Sequence, residues 1–115
     1  MDNSCNLHCT HNMDLIWRGS TPTFFFNICL DTEIIDYEHT HIVFVSGPTL
    51  VDKQGNDIVV NEGQLACTLT QDETMSFKGS QVNIQILATT LNGEKPVSII
   101  MTVPISSTLK GGDVW

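Results

Sequence analysis

The chain has 115 residues, 41% of them hydrophobic, and five Lys or Arg against thirteen Asp or Glu give a formal net charge of −8. That length holds one domain around one core. Its cations (Arg18, Lys53, Lys78, Lys95 and Lys110) stand singly, with no basic stripe, which argues against nucleic-acid and anionic-membrane partners. No apolar run approaches the roughly 20 residues of a membrane-spanning helix. The first residues show neither the basic region nor the apolar core of a signal peptide, so synthesis and folding in a cytoplasm are expected.

Residues 1 to 13 read as a leader unlike the remainder, an arm carrying Cys5, His8, Cys9 and His11. Zinc takes such ligands, but usual sites separate two ligand pairs by a longer loop. These four are crowded, so the expectation is an arm ordered by a partner, with zinc held there only if a neighbouring subunit adds ligands. Otherwise no cofactor is expected. Asp14 to Arg18 suits a short strand before the Gly19-Ser20 turn. In the following strand, Thr21 to Leu30, Phe24, Phe26, Ile28 and Leu30 share one side and Phe25 lies on the other. Cys29 and Cys67 fall within apolar strand patterns and read as small core residues. Without an export signal, reduced thiols are the expectation.

His39 to Ser46 forms the next strand, with Thr40, Ile42 and Phe44 on one face and His39, His41, Val43 and Val45 on the other. Turns follow at Gly47-Pro48, at 53–57 and at 61–63. The stretch 64–87 then organises the chain. Leu65, Cys67 and Leu69 alternate as a strand, and Thr70-Gln71-Asp72-Glu73 is a capping-box signature. Met75 and Phe77 are expected beneath one helical turn, and Gly79 is expected to end it with a positive φ. Val82, Ile84 and Ile86 resume the alternation. Asn92-Gly93 suits a type I′ hairpin turn, leading to a return strand in which Val97, Ile99, Met101, Val103 and Ile105 face one way. These patterns predict one all-β domain over 14–115: an antiparallel, Ig-like, Greek-key β-sandwich of about six to eight short strands, with one short helical turn near 70–77.

No nucleophile elbow, phosphate-binding loop or zinc-protease motif occurs, and Asp72-Glu73 serves the helix start. An enzyme is therefore not expected. Trp17, Tyr37 and Trp115 are the aromatic residues that could stack on a sugar or fill a partner's pocket. Core packing is expected of Trp17, whereas Trp115, beyond Gly111-Gly112, suits an anchor for a neighbouring chain or for the N-terminal arm.

Arg18-Gly19-Ser20-Thr21-Pro22-Thr23 resembles the R-G-T-T-P-T opening of small proteins from phages and prophages of Gram-positive bacteria, and 69–77 (LTQDETMSF) resembles their L-T-Q-E-E-T-L-x-F turn. Val82 to Ile86, Asn92-Gly93 and 109–112 (LKGG) follow in the same order. These proteins are similar to the N-terminal sandwich domain of upper baseplate proteins. Leu87 departs from their pattern, where Arg is common, and the Cys/His leader has no counterpart in them. The resemblance implies a non-enzymatic structural or adaptor role in a virion, at the tail or baseplate, with other virion proteins or copies of itself as partners. It brings no catalytic residues. The alternatives are a host-surface carbohydrate-binding module and a small intracellular protein that binds a host factor.

Overall fold

The structure is a computed structural model and describes residues 9–109. In chain order its elements are β1 (Cys9–His11), β2 (Ile16–Trp17), β3 (Thr23–Ile28), β4 (His41–Ser46), β5 (Thr49–Gln54), β6 (Val59–Asn61), β7 (Gln64–Thr68), α1 (Gln71–Ser76), β8 (Gln81–Leu87) and β9 (Met101–Ser106). One sheet has the order β1-β3-β7-β6 and the other β2-β9-β8-β4-β5. All neighbours are antiparallel except β2 and β9, which run parallel through Ile16–Ile105 and Trp17–Ser106. This is the immunoglobulin arrangement, with an A-B-E-D sheet packed on an A′-G-F-C-C′ sheet.

Period-two alternation builds the core. Phe24 and Phe26 from β3 and Leu65 from β7 meet Ile42 and Phe44 from β4 and Val82, Ile84 and Ile86 from β8, all without solvent contact. Phe24 stacks on Phe26 at 5.7 Å between centroids and meets Phe44 of the opposite sheet edge-on at 5.2 Å. Burying a side chain of this size contributes roughly 1.5–3 kcal/mol.

The capping box forms as expected. The Thr70 hydroxyl accepts from the Glu73 amide at 3.1 Å, and the Glu73 carboxylate accepts from the Thr70 amide at 2.8 Å. Phe77 is buried, whereas Met75 is only half-buried and Thr74 takes the buried place in the helix.

Five expectations need correction. Residues 9–11 of the expected arm form β1, paired with β3 in the register Cys9–Ile28 to His11–Phe26. Cys29 is exposed and disulfide-bonded, so it is neither a core residue nor a reduced thiol. Gly79 lacks a positive φ, and it is needed for proximity instead: a Cβ there would lie 3.0 Å from the Ser46 hydroxyl. The Asn92-Gly93 turn is not type I′, because Asn92 has no positive φ. Gly93 has φ +89, its amide bonds the Thr90 carbonyl at 2.9 Å, and the Thr90 amide bonds Glu94 at 2.8 Å. That is a three-residue loop closed by a left-handed glycine.

The return strand also changes phase. Met101, Val103 and Ile105 face inward, but Ser98 is buried and Ile99 and Ile100 are both exposed. The Ser98 hydroxyl explains the shift: it accepts from the Ile86 amide at 2.9 Å and donates to the Ile99 carbonyl at 2.8 Å. A side chain thus takes one rung of the ladder, and the extra residue turns two consecutive isoleucines outward.

Candidate functional site

A depression lies where the chain crosses between sheets. Asp31 starts the 3-10 turn Thr32–Ile34 by accepting from the Glu33 amide at 2.9 Å, and a second 3-10 turn, Tyr37–His39, leads into β4. Buried Ile35, bridged to Thr90, anchors the segment, and the Asp36 amide bonds the Thr89 carbonyl at 2.8 Å. Across from it, the 3-10 turn Gly55–Asp57 ends β5. Gln54 Nε2 donates to the Glu38 carbonyl at 2.6 Å and ties the two turns together.

Between them is a cavity of about 590 Å³ lined by Tyr37, Glu38, Asp52, Gln54 and Gly55 through Ile58. Three carboxylates and no cation line it. The Tyr37 hydroxyl donates to the Thr32 carbonyl at 2.8 Å, and burial, then the nearby Asp31 charge, push its pKa up. Tyr37 is therefore fixed as part of the wall, half-buried, rather than offered as a flat face. At the rim Asp52 pairs with His41 and Asp36 with His39, each at 2.9 Å. The groove offers acceptors to a polar or cationic group, and the described residues assemble no nucleophile and base in it.

Trp17 overturns the core-packing expectation. Ile16 takes the buried position of β2, and Trp17 is 45% exposed. It stands at the other end of the sheet from Tyr37. The neighbouring Arg18 bonds the Phe77 and Gly79 carbonyls at 2.9 and 2.7 Å, next to Ser46 at the end of β4, whereas Tyr37 precedes the start of β4. The two aromatics do not share a surface. Trp115, Cys5 and His8 lie outside the described residues.

The remaining leader ligands turn toward the core. Cys9 is buried, and burial pushes its thiol up to about 11. His11 Nδ1 accepts from the Met13 amide at 3.0 Å, and its ring meets Phe24 at a tilt and Phe26 edge-on, 6.2 and 6.5 Å between centroids. Among the described residues, no three of His, Cys, Asp and Glu gather to hold a metal ion. Cys67 is buried as expected, its thiol pushed up to about 12 by burial first, with Lys53 opposing. Thiols so raised are poor nucleophiles.

Sequence reasoning missed the Lys53–Glu73 pair. Lys53 points between the sheets from β5 and reaches both Glu73 oxygens, at 2.8 and 3.0 Å. Burial alone would raise the Glu73 carboxyl, but the Lys53 and Thr70 hydrogen bonds outweigh it and hold the group below 4.5. The inward phase of Val51 and Lys53 was the available signal, hidden because Lys53 read as the start of a turn.

No protein-family model matches the chain, and no curated protein matches it. Among solved structures it is similar to an endo-beta-1,4-mannanase from Thermotoga petrophila, with TM-score 0.58 and 8% identity over 89% of this chain. The likeness is one of fold. This chain spans 20% of the mannanase's length. The fibronectin(III)-like modules of Clostridium thermocellum CbhA also align, with TM-score 0.47 and 13% identity, over 84% of this chain and 93% of theirs.

Proposed function

We propose that this chain is a non-catalytic structural or adaptor protein of a phage or prophage virion, seated at the tail or baseplate. It assembles there with other virion proteins or copies of itself, through sheet edges and terminal segments. One observation carries the reading beside the resemblance of residues 18–24 and 69–77. Several exposed aliphatics lie at sheet margins: Val59 and Val60 on the edge strand β6, and Ile99 and Ile100 where the ladder beside β9 is broken. Margins with unpaired backbone groups and apolar side chains suit strand addition between subunits. In the groove beside Tyr37, by contrast, two of the three carboxylates already have partners, Asp52 in His41 and Asp57 in the Gln54 amide.

Immunogold labelling of particles released from the encoding host tests the assignment. Gold at the tail end is the expected result, and particles without gold, or gold confined to heads, would reject it. The glycan-binding alternative draws on exposed Trp17. It has less support because Tyr37 lies at the opposite end of the sheet, and a glycan array that stays silent for the wild type would remove it.

A further inference from the structure

The turn that follows β8 carries a reactive pair of residues. In the whole sequence Asn92 is the one asparagine followed by glycine. Asn92 and Gly93 are both exposed, and a Cβ added to Gly93 would meet nothing within 4 Å, so the space around this peptide bond is open to water. Glycine also lets its own backbone nitrogen come close to the preceding side-chain carbonyl, because no Cβ stands in the way. Thr90 holds the turn from beneath. It is buried, and its carbonyl accepts from the Gly93 amide at 2.9 Å. Its amide donates to the Glu94 carbonyl at 2.8 Å, and its hydroxyl accepts from the Glu94 amide at 3.1 Å.

We infer that Asn92 is a site of spontaneous deamidation, with Thr90 as the latch that sets its rate. The Gly93 amide gives its proton to solvent base, and its nitrogen attacks Cγ of Asn92. A new C–N bond forms, the Cγ–Nδ2 bond breaks, and Nδ2 leaves as ammonia with a proton taken from solvent. The five-membered succinimide that results takes up one water. Opening at Cγ gives aspartate. Opening at the backbone carbonyl gives isoaspartate, in which the main chain runs through Cβ. Water is the only co-reactant, and either product adds one negative charge beside Glu94.

Two opposing effects set where and how fast this happens. The bond to Thr90 keeps the Gly93 proton in place and fixes the turn at a Gly93 φ of +89, so reaction waits for the turn to open. Exposed turns open locally at far lower free energy than the whole domain unfolds, so the latch slows the reaction without preventing it. The other described asparagines are worse placed. The side chains of Asn12, Asn27 and Asn83 are held by hydrogen bonds. Asn56 and Asn61 precede Asp57 and Glu62, whose side chains crowd the nitrogen and whose charge opposes its deprotonation. The isoaspartate product also reaches beyond the turn. The Leu91 amide bonds the Ile34 carbonyl at 2.8 Å and Thr90 bridges to Ile35. An extra main-chain carbon at position 92 therefore loosens the attachment of the segment that leads to Tyr37. This chemistry is independent of any virion role, and either can fail without the other.

Incubation of the full chain in mildly alkaline buffer, with peptide mass spectrometry over time, tests it. The expected result is replacement of NH by oxygen at position 92, as aspartate and isoaspartate, at least about tenfold faster than at Asn56 or Asn61. In guanidinium, where the Thr90 latch is gone, conversion at position 92 should be faster again. Asn92→Gln should lack the early acidic form that ion exchange separates from wild type. The isoaspartate fraction should melt below the fresh chain, and one that melts with the fresh chain would reject the loosening. A native chain that keeps Asn92 intact while the denatured chain converts, equal rates at position 92 in the two states, or conversion at Asn56 or Asn61 as fast as at Asn92 would each overturn the inference.

Discussion

The Thr74 hydroxyl accepts a 3.0 Å hydrogen bond from the Gly19 amide. The same oxygen donates to the Ser20 carbonyl at 2.8 Å, and Thr74 has no solvent contact. One buried side chain thus fastens α1 to the turn after β2, and Arg18 reinforces it from outside through the Phe77 and Gly79 carbonyls. The segments 18–20 and 70–79 are therefore one structural joint. Thr74→Val keeps the shape and leaves a buried amide and carbonyl unpaired, which costs about 1–3 kcal/mol for each lost group. Denaturant unfolding should show a lowered midpoint with unchanged slope, and Thr74→Ser should recover most of it.

The Lys53–Glu73 pair gives stability a defined pH dependence. Glu73 is held below 4.5 in the folded chain. Its contribution is fully present above the unfolded value and is lost as pH falls through the lower folded one. Thermal melts from pH 7 downward should show wild type losing stability below about pH 4.5. Lys53→Met should be less stable at pH 7, because the partly buried Glu73 carboxylate loses its partner, and its acid dependence should be shallower. Parallel curves for the two proteins would show that the pair does not set the slope.

Phe44 connects the layers through its edge contact with Phe24. Phe44→Ala should cost about 3–5 kcal/mol, since the transfer and cavity costs add in a site closed on all sides. Phe25, on the solvent side of β3, should tolerate alanine far better. Chemical denaturation of the two variants side by side compares them.

Gly79 and Gly93 should fail for different reasons. At Gly93 an added Cβ meets nothing within 4 Å, but φ is +89, so Gly93→Ala should cost about 1 kcal/mol through backbone strain. At Gly79 the Cβ would meet the Ser46 hydroxyl, which bonds both the Gly79 amide and the Gln81 carbonyl. Gly79→Ala should cost about 1–3 kcal/mol, and adding Ser46→Ala should restore part of that loss. Thermal shifts of the single and double variants measure the coupling.

Much of this fold was legible because its strands have one wet face. The alternation in 64–87 marks β7 and β8, and the spacing of Thr70 and Glu73 marks the start of α1. Two-residue β2 has no period to read, and its parallel pairing with β9 is set by tertiary contact alone. The arm reading failed at β1 because a three-residue edge strand beside Phe26 carries almost no local signal. Ile99 was assigned the wrong face because nothing local reveals that the Ser98 hydroxyl substitutes for a backbone rung. At the candidate site, Tyr37 was found on chemistry, but its hydrogen bond to Thr32 depends on a turn the sequence does not display.

The most direct test of the proposed role is peptide mass spectrometry of gradient-purified particles from the host that encodes this chain. The account predicts peptides of this protein at a fixed ratio to the other tail proteins, co-sedimenting with intact particles. Peptides confined to the lysate and absent from particles would contradict it and favour a binder that acts inside the infected cell.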